Sequence, residues 1–187
     1  MTPPTSSLVW DTTGPLHAAR CGHIDWLLEA AGGNRQHLVP EKVVDELALK
    51  GCPVDTTLFE IVLLGDSSDQ AQALADLHDL ARWESRLGSD ILSGHNAGEA
   101  WVATVARKLG ATAIIDDRSA RSVVRRQGVE VHGVLWAISR GIVEGRVSTP
   151  NAYPGLCDAM LDTGIRWPFT KGGFPQWYAS HKALLCQ

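Results

Sequence analysis

Short apolar runs alternate with helical segments along this chain, and this alternation constrains the fold more than any other feature of the sequence. Residues 40–50, 96–109 and 117–127 have the spacing and the end residues of helices. The apolar runs are short and end at polar or turn residues, as buried strands do; they span residues 7–11, 36–39, 111–115 and 128–131. Such alternation is typical of parallel sheets covered by helices. The sequence therefore predicts an α/β fold, a three-layer α/β/α domain with a central parallel sheet.

The length of 187 residues suits a single domain. We expect residues 1–150 to form that domain and residues 151–187, which contain Gly, Pro and aromatic residues, to form a C-terminal extension packed on it. For this extension we predict a short helix and an irregular wrap. The Leu- and Ala-rich residues 55–90 are interrupted at residues 65–68, which predicts two helices separated by a turn.

Composition excludes several classes of protein. Apolar residues make up 44% and charged residues 20%, unlike a disordered chain. No apolar run approaches the roughly 18 residues of a membrane span, and the N-terminus lacks the pattern of a secretory signal, so we expect a soluble, cytoplasmic protein without membrane contact. The cysteines form no Cys-x-x-Cys pair, which disfavours structural zinc. With a net charge of −4, a nucleic-acid enzyme would need a local basic patch.

Acidic residues follow two of the predicted strands. Asp11 comes at the end of the first strand, and Asp116 and Asp117 follow the run 111–115. Open parallel sheets bind ligands outside the carboxyl ends of their strands, so these acids are candidates for one site. The alternative is ordinary turn chemistry, since Asp is common after strands and Asp117 is well placed to N-cap the next helix.

A further acid, Glu99, lies on the core side of the helix predicted at 96–109. At about 100° per residue, Glu99 falls within about 60° of the centre of the apolar stripe, so it points towards the core. A carboxylate that points towards the core needs a compensating partner, and such acids are concentrated at functional sites, so Glu99 is a candidate site residue. The alternative is a capping box, with Asn96 as the N-cap and Glu99 reaching back to its amide.

Four segments, in this order and spacing, resemble the PIN-domain family, especially the VapC-like toxins and their relatives. They are Val9-Trp-Asp-Thr-Thr-Gly-Pro-Leu16, Val39-Pro-Glu-Lys-Val-Val-Asp-Glu-Leu47, Gly98-Glu-Ala100 and Ile114-Ile-Asp-Asp-Arg-Ser-Ala-Arg121. The resemblance covers residues 7–148. It implies a Mg²⁺- or Mn²⁺-dependent ribonuclease, commonly a homodimer and often held inactive by a cognate antitoxin protein.

Carried over from the family, the catalytic and metal-binding acids are Asp11, Glu46, Glu99 and Asp117. Asp116 is a further metal-ligand candidate, because the doublet leaves the match ambiguous by one residue. Glu46 rests on the resemblance alone, since it lies on the flank of its helix, about 110° from the centre of the inner face. The chain has Glu99 where many members have Asp, and it lacks their Asp-Phe pair after the last strand acid.

We expect the RNA contacts to lie beside these acids. Arg118, Arg121 and Arg125 follow the doublet on one helix and would contact the phosphate backbone. For Arg125 and Arg126 a solvated helix face is an equally good interpretation. Thr12 and Thr13 would hydrogen-bond a phosphate oxygen or an ordered water.

Two alternative functions use the same residues. Asp11 after a strand and the later doublet also resemble the first and last motifs of haloacid-dehalogenase-like phosphatases, but Thr13 stands where those enzymes have a second Asp. The other alternative is a PIN-like module that holds RNA or a protein without cutting.

Overall fold

The computed structural model describes residues 7–66, 68–88, 96–145 and 152–185. The chain divides into two compact units. Unit 1 comprises residues 1–12 and 35–133, and unit 2 comprises residues 13–34 and 134–187. In the described residues, no helix has the length and apolar character needed to cross a membrane. The domain boundary predicted near residue 150 falls outside the described residues and stays a prediction.

A parallel sheet of five strands forms the centre of unit 1. The strands are β1 Leu8–Trp10, β2 His37–Pro40, β3 Glu60–Val62, β4 Thr112–Ile114 and β5 Val131–His132. Their order is β3-β2-β1-β4-β5, and every pair is parallel. The central strand β1 is fully buried, which suits its uninterrupted apolar sequence. The α/β class with a central parallel sheet is therefore confirmed, in a helix-rich chain consistent with the predicted three layers.

The helices are α1 Thr13–Arg20, α2 Ile24–Gly32, α3 Glu41–Leu49, α4 Gln70–Leu87, α5 Ala97–Leu109, α6 Arg118–Arg126, α7 Val134–Val143, α8 Ala152–Asp162 and α9 Phe174–Leu185. In unit 1, α5 packs on β1, β2 and β4, while α3 and α4 pack against α5 and α6 packs beside β5. The buried residues of α5 include Val102, Val105 and Ala106, and Gly110 ends this helix with a positive φ of 62°. Helix α5 is thus the main support of the central strands.

Unit 2 is helical. Helix α2 packs on α1, α7 and α8, and α9 packs on α7 and α8. The aromatic rings of Phe169, Phe174 and Trp177 contact one another between residues 169 and 177, with centroids 5.8 to 6.0 Å apart. The prediction of a short helix and an irregular wrap is wrong for this tail, because two regular helices, α8 and α9, occupy most of it.

The prediction of two helices between residues 55 and 90 is also wrong in its first half. Asp55 accepts hydrogen bonds from the Thr57 amide and hydroxyl, at 2.8 and 2.7 Å, and so forms a turn. The chain then enters β3, whose residues Glu60–Val62 pair with β2 at the edge of the sheet. A short apolar run fits a strand and a helix equally well, and here its pairing with β2 decides for the strand.

Candidate active site

Asp11 lies at the carboxyl end of the central strand, with only 6% of its surface exposed. Its backbone amide donates a 2.9 Å hydrogen bond to the carbonyl of Ile114, the last residue of β4. This bond extends the β1–β4 pairing by one step and holds the turn after β1 against the turn after β4. The acids at these two strand ends are therefore brought together, as the strand order predicts.

The carboxyl group of Asp11 has a pKa well above its ordinary value. Its pKa is raised from 3.8 to about 8, first by burial and then by the charges of Glu99, Glu46 and Asp116, against a hydrogen bond from the Thr12 amide that lowers it. We call Asp11 and the three carboxylates whose charges act on it, Glu46, Glu99 and Asp116, the acidic cluster. A raised pKa caused by burial and by neighbouring carboxylates is a property of functional sites.

Glu46 joins the acidic cluster from α3. The Thr12 hydroxyl donates a 2.5 Å hydrogen bond to Glu46 Oε2; Thr12 is buried and Glu46 is half-buried. A position on the flank of α3 is therefore sufficient to reach the end of β1. Thr12, predicted to contact nucleic acid, here directs its hydroxyl proton to Glu46. Thr13 begins α1 in unit 2.

Gly98 allows the first turn of α5 to approach the carboxylates closely. A Cβ atom at this position would lie 3.1 Å from each carboxylate oxygen of Glu46 and 3.4 Å from Asp11 Oδ1. The N-terminus of a helix carries partial positive charge, which favours carboxylates beside it. Gly98 has no predicted role in the sequence motif that contains it, and its position one residue before Glu99 is the signal that could have assigned one.

Glu99 is half-buried in the first turn of α5 and is the largest electrostatic cause of the raised Asp11 pKa. Asn96 precedes the helix with a left-handed φ of 58° and makes no side-chain cap. Its amide donates instead to the Leu87 carbonyl, at 2.8 Å. The side-chain bond from the N-cap residue that a capping box requires is therefore not formed. The charge of Glu99 acts on Asp11.

The two aspartates of the doublet have different surroundings. Asp117 is exposed and caps α6: it accepts hydrogen bonds of 2.7 Å from the Ala120 amide and from the Ser119 hydroxyl, which lower its pKa. Asp116 is half-buried and is among the groups that raise the pKa of Asp11. The geometry therefore places Asp116 in the acidic cluster and Asp117 at the helix cap.

The three predicted RNA-binding arginines also differ. Arg121 Nη1 donates to the carbonyls of Ile115 and Asp116, at 2.8 and 2.6 Å, and so braces the turn after β4. Gly133 makes room for it, since a Cβ there would lie 3.0 Å from that nitrogen. Arg125 donates to the Val131 carbonyl at 2.9 Å. Arg118 is exposed and, among the described residues, forms no hydrogen bond or ion pair, so it is the most available of the three.

The acidic cluster suits a hard divalent cation in its donor chemistry. Its side chains offer carboxylate oxygens, which Mg²⁺ and Mn²⁺ prefer, and the repulsion that raises the Asp11 pKa is what a cation would relieve. In the described parts of the chain, no three Asp, Glu, His or Cys side chains converge as a ready-made metal cage. Binding would therefore require the carboxylates to adjust around the ion.

Comparison with known families covers almost the whole chain. The family model DUF3368, described as a PIN domain, matches residues 7–170. This range includes the whole acidic cluster and all five strands. No curated protein sequence matches the chain.

Proposed function

Because the chain belongs to the PIN-domain family, whose members are usually nucleases, we propose that it is a metal-dependent endoribonuclease of the VapC type. The observation that carries the proposal is the buried Asp11 carboxyl, whose pKa is raised to about 8 by burial and by Glu99, Glu46 and Asp116. Gathering four carboxylates at one end of a parallel sheet costs electrostatic free energy, because the charges repel one another. Carboxyl groups perturbed in this way are concentrated at functional sites. The proposed reaction is hydrolysis of RNA phosphodiester bonds.

The proposed cofactor is Mg²⁺ or Mn²⁺, held by the acidic cluster with Asp11 at its centre. When bound, such cations neutralise charge on the phosphoryl oxygens and lower the pKa of the attacking water. The residues of the chain position this chemistry. Thr12 fixes the Glu46 carboxylate by a hydrogen bond, and Gly98 keeps the space beside Glu46 and Asp11 open.

The remaining residues orient the cluster and the substrate. Arg121 donates hydrogen bonds to the carbonyls of Ile115 and of Asp116 itself, and so holds the Asp116 backbone in the position that brings its carboxylate beside Asp11. Arg118, exposed in the first turn of α6, is proposed to contact an RNA phosphate. A homodimer and a cognate antitoxin are part of the same proposal and rest on the family resemblance. A cytoplasmic location is also part of the proposal and does not rest on that resemblance.

The proposed function is tested by the class of substrate. With Mn²⁺, the protein is expected to cut 5′-labelled single-stranded RNA at internal bonds and to leave a chromogenic phosphomonoester intact, because only the former is a phosphodiester. Denaturing gels and absorbance measure the two reactions on one preparation. Phosphomonoester turnover that Asp11→Asn removes would instead support the phosphatase alternative, and folded protein that binds RNA without cutting would support the non-catalytic module.

The acid doublet gives a second prediction. Asp116→Asn is expected to reduce RNA cleavage at least about 10-fold. Removing a group that only supports a metal ligand typically costs about 10–100-fold, and 10-fold is the lower end of that range. Asp117→Ala should retain cleavage and lower the free energy of unfolding by about 0.5–2 kcal/mol, because it removes the N-cap of α6. Cleavage rates and thermal melts of both variants measure these effects. The reverse pattern, with cleavage abolished only in Asp117→Ala, would assign the site to Asp117.

A further inference from the structure

A second charged feature of unit 1 lies at the amino ends of the strands, opposite the carboxyl ends that carry the acidic cluster. It is a cavity of about 490 Å³ beside the residues that precede β4 and β5, and its lining includes Gly110, Gly128 and Glu130. Three arginines complete it: Arg82 and Arg86 from α4 and Arg107 from α5. We call this cavity the arginine pocket. The acidic cluster lies at the carboxyl ends of the strands, so the two features do not overlap.

The arginines of this pocket differ in how far other groups neutralise them. Arg107 is paired with Asp79, at 3.2 Å, and the exposed carboxylate of Glu130 also lines the pocket. Arg86 lies over the ring of Trp83, with 5.7 Å between its Cζ and the ring centroid. Within the described ranges, no ion pair or hydrogen bond to a carboxylate neutralises Arg82 or Arg86. Two guanidinium groups therefore face the pocket with their donors available.

The surface of α4 next to the pocket carries Arg82 and Arg86 beside two grooves. His78, Arg82 and Arg86 follow one another at intervals of four residues, which places them on one helix face. Two grooves of about 510 and 430 Å³ run along this face, and both are lined by His78 and Arg82. Apolar residues make up much of the lining of both grooves, and Asp79 lines one of them, so their positive charge comes from Arg82 and Arg86. We call these two grooves the α4 track.

Guanidinium groups with unused donors on a track of this kind match phosphate oxyanions, which accept paired N–H donors. The chain carries a net charge of −4, so its affinity for a polyanion must come from local positive surfaces. Of the arginines predicted to serve this purpose, Arg121 and Arg125 bond backbone carbonyls. Arg82 and Arg86 are free of that role.

We propose that the arginine pocket and the α4 track bind phosphate groups of the RNA strand at a second site, away from the acidic cluster. The identity of the ligand as RNA rests on the proposed function; the phosphate chemistry rests on the pocket itself. Such a site would add affinity without reading sequence, because interactions with the phosphate backbone carry no sequence information.

The test is RNA binding without cleavage. Fluorescence anisotropy measures the affinity of a fluorescein-labelled single-stranded RNA in EDTA, at several salt concentrations. Arg82→Gln with Arg86→Gln is expected to weaken binding about fivefold or more at low salt and to reduce the slope of log K against log salt by about 0.7 for each phosphate that is no longer neutralised. The matched control, Arg20→Gln with Arg166→Gln, removes two exposed arginines of unit 2 and should change neither quantity.

Thermal melts show whether the variants fold. If the double variant melts early, the single variants Arg82→Gln and Arg86→Gln replace it, and each is expected to weaken RNA binding by a smaller amount. Unchanged affinity and slope in the double variant would overturn the proposal. Inorganic pyrophosphate that binds the wild-type protein, fails to bind the double variant and does not compete with RNA would also overturn it, because the pocket would then serve a small free ligand. Since EDTA removes metal-dependent cleavage from the assay, weaker binding here supports the second site even if the protein never cuts RNA.

Discussion

Asp11→Asn is expected to reduce RNA cleavage by at least about 100-fold, because even groups that only support a metal ligand contribute about 10–100-fold. The substitution keeps the size of the side chain and an oxygen that accepts the Thr12 amide. It removes the negative charge that the Asp11 carboxyl group, on which Glu46, Glu99 and Asp116 act, would present to a cation. Initial rates on labelled RNA with saturating Mn²⁺ measure the effect.

The same substitution is expected to stabilise the metal-free protein. The folded state holds the Asp11 proton up to about pH 8, whereas the unfolded chain releases it near 3.8, so that its pKa is raised on folding. Between these values the folded state binds more protons, so the contribution of Asp11 to stability falls as pH rises and is least favourable above pH 8. Asp11→Asn removes this penalty, and the melting temperature in EDTA at pH 8 should rise, by about 2–4 °C for each kcal/mol gained in a chain of this size.

Asp45→Asn is the matched control for this pair of effects. Asp45 is an exposed residue of α3, next in sequence to Glu46, and the change is chemically identical. It should alter neither cleavage nor the melting temperature. If Asp11→Asn cuts RNA normally, or lowers the melting temperature in EDTA as the removal of a structural hydrogen bond would, Asp11 is not the centre of a catalytic site.

The strand-end acids could be found from the sequence because they follow from sheet topology. Runs 7–11 and 111–115 lead into Asp11 and Asp116, and parallel strands place their carboxyl ends at one edge. Glu99 could also be predicted from the sequence, since helical periodicity places it on the core side of α5. These predictions depend only on local periodicity and on strand direction.

Other features depend on tertiary interactions that no local pattern encodes. Glu46 belongs to the cluster because Thr12, 34 residues away in sequence, donates a hydrogen bond to it. For the doublet, the N-cap bonds of Asp117 are local, from Ser119 and Ala120, as the turn-chemistry alternative allowed. The place of Asp116 beside Asp11 depends instead on the pairing of β4 with β1. Sequence position cannot distinguish neighbours whose partners come from elsewhere in the chain.

The arginines show the same limit. Charge and spacing on α6 predicted a phosphate-binding stripe, yet Arg121 and Arg125 reach the carbonyls of nearby strand ends. A long side chain beside an unpaired carbonyl bonds it when the geometry allows, because a buried carbonyl without a partner costs free energy. Which carbonyls lie within reach is decided by the packing of α6 beside β5.

Chelation is expected to remove RNA cleavage entirely, and an excess of Mg²⁺ or Mn²⁺ should restore it. The reason is the chemistry of the acidic cluster: its carboxylates repel one another and the incoming phosphate, so without a cation they hinder the reaction they are proposed to promote. Melting curves with and without Mn²⁺ give an independent readout, since an ion that binds only the folded state raises its stability with the logarithm of concentration.

The most direct measurement compares the initial rate of RNA cleavage by the wild-type protein and by Asp11→Asn, first in excess EDTA and then across a titration of Mn²⁺. We expect the wild-type rate to start at background and rise to saturation, while Asp11→Asn stays at background throughout. Wild-type cleavage that persists in excess EDTA, or an equal Mn²⁺-dependent rise in Asp11→Asn, would contradict a metal-dependent nuclease centred on Asp11.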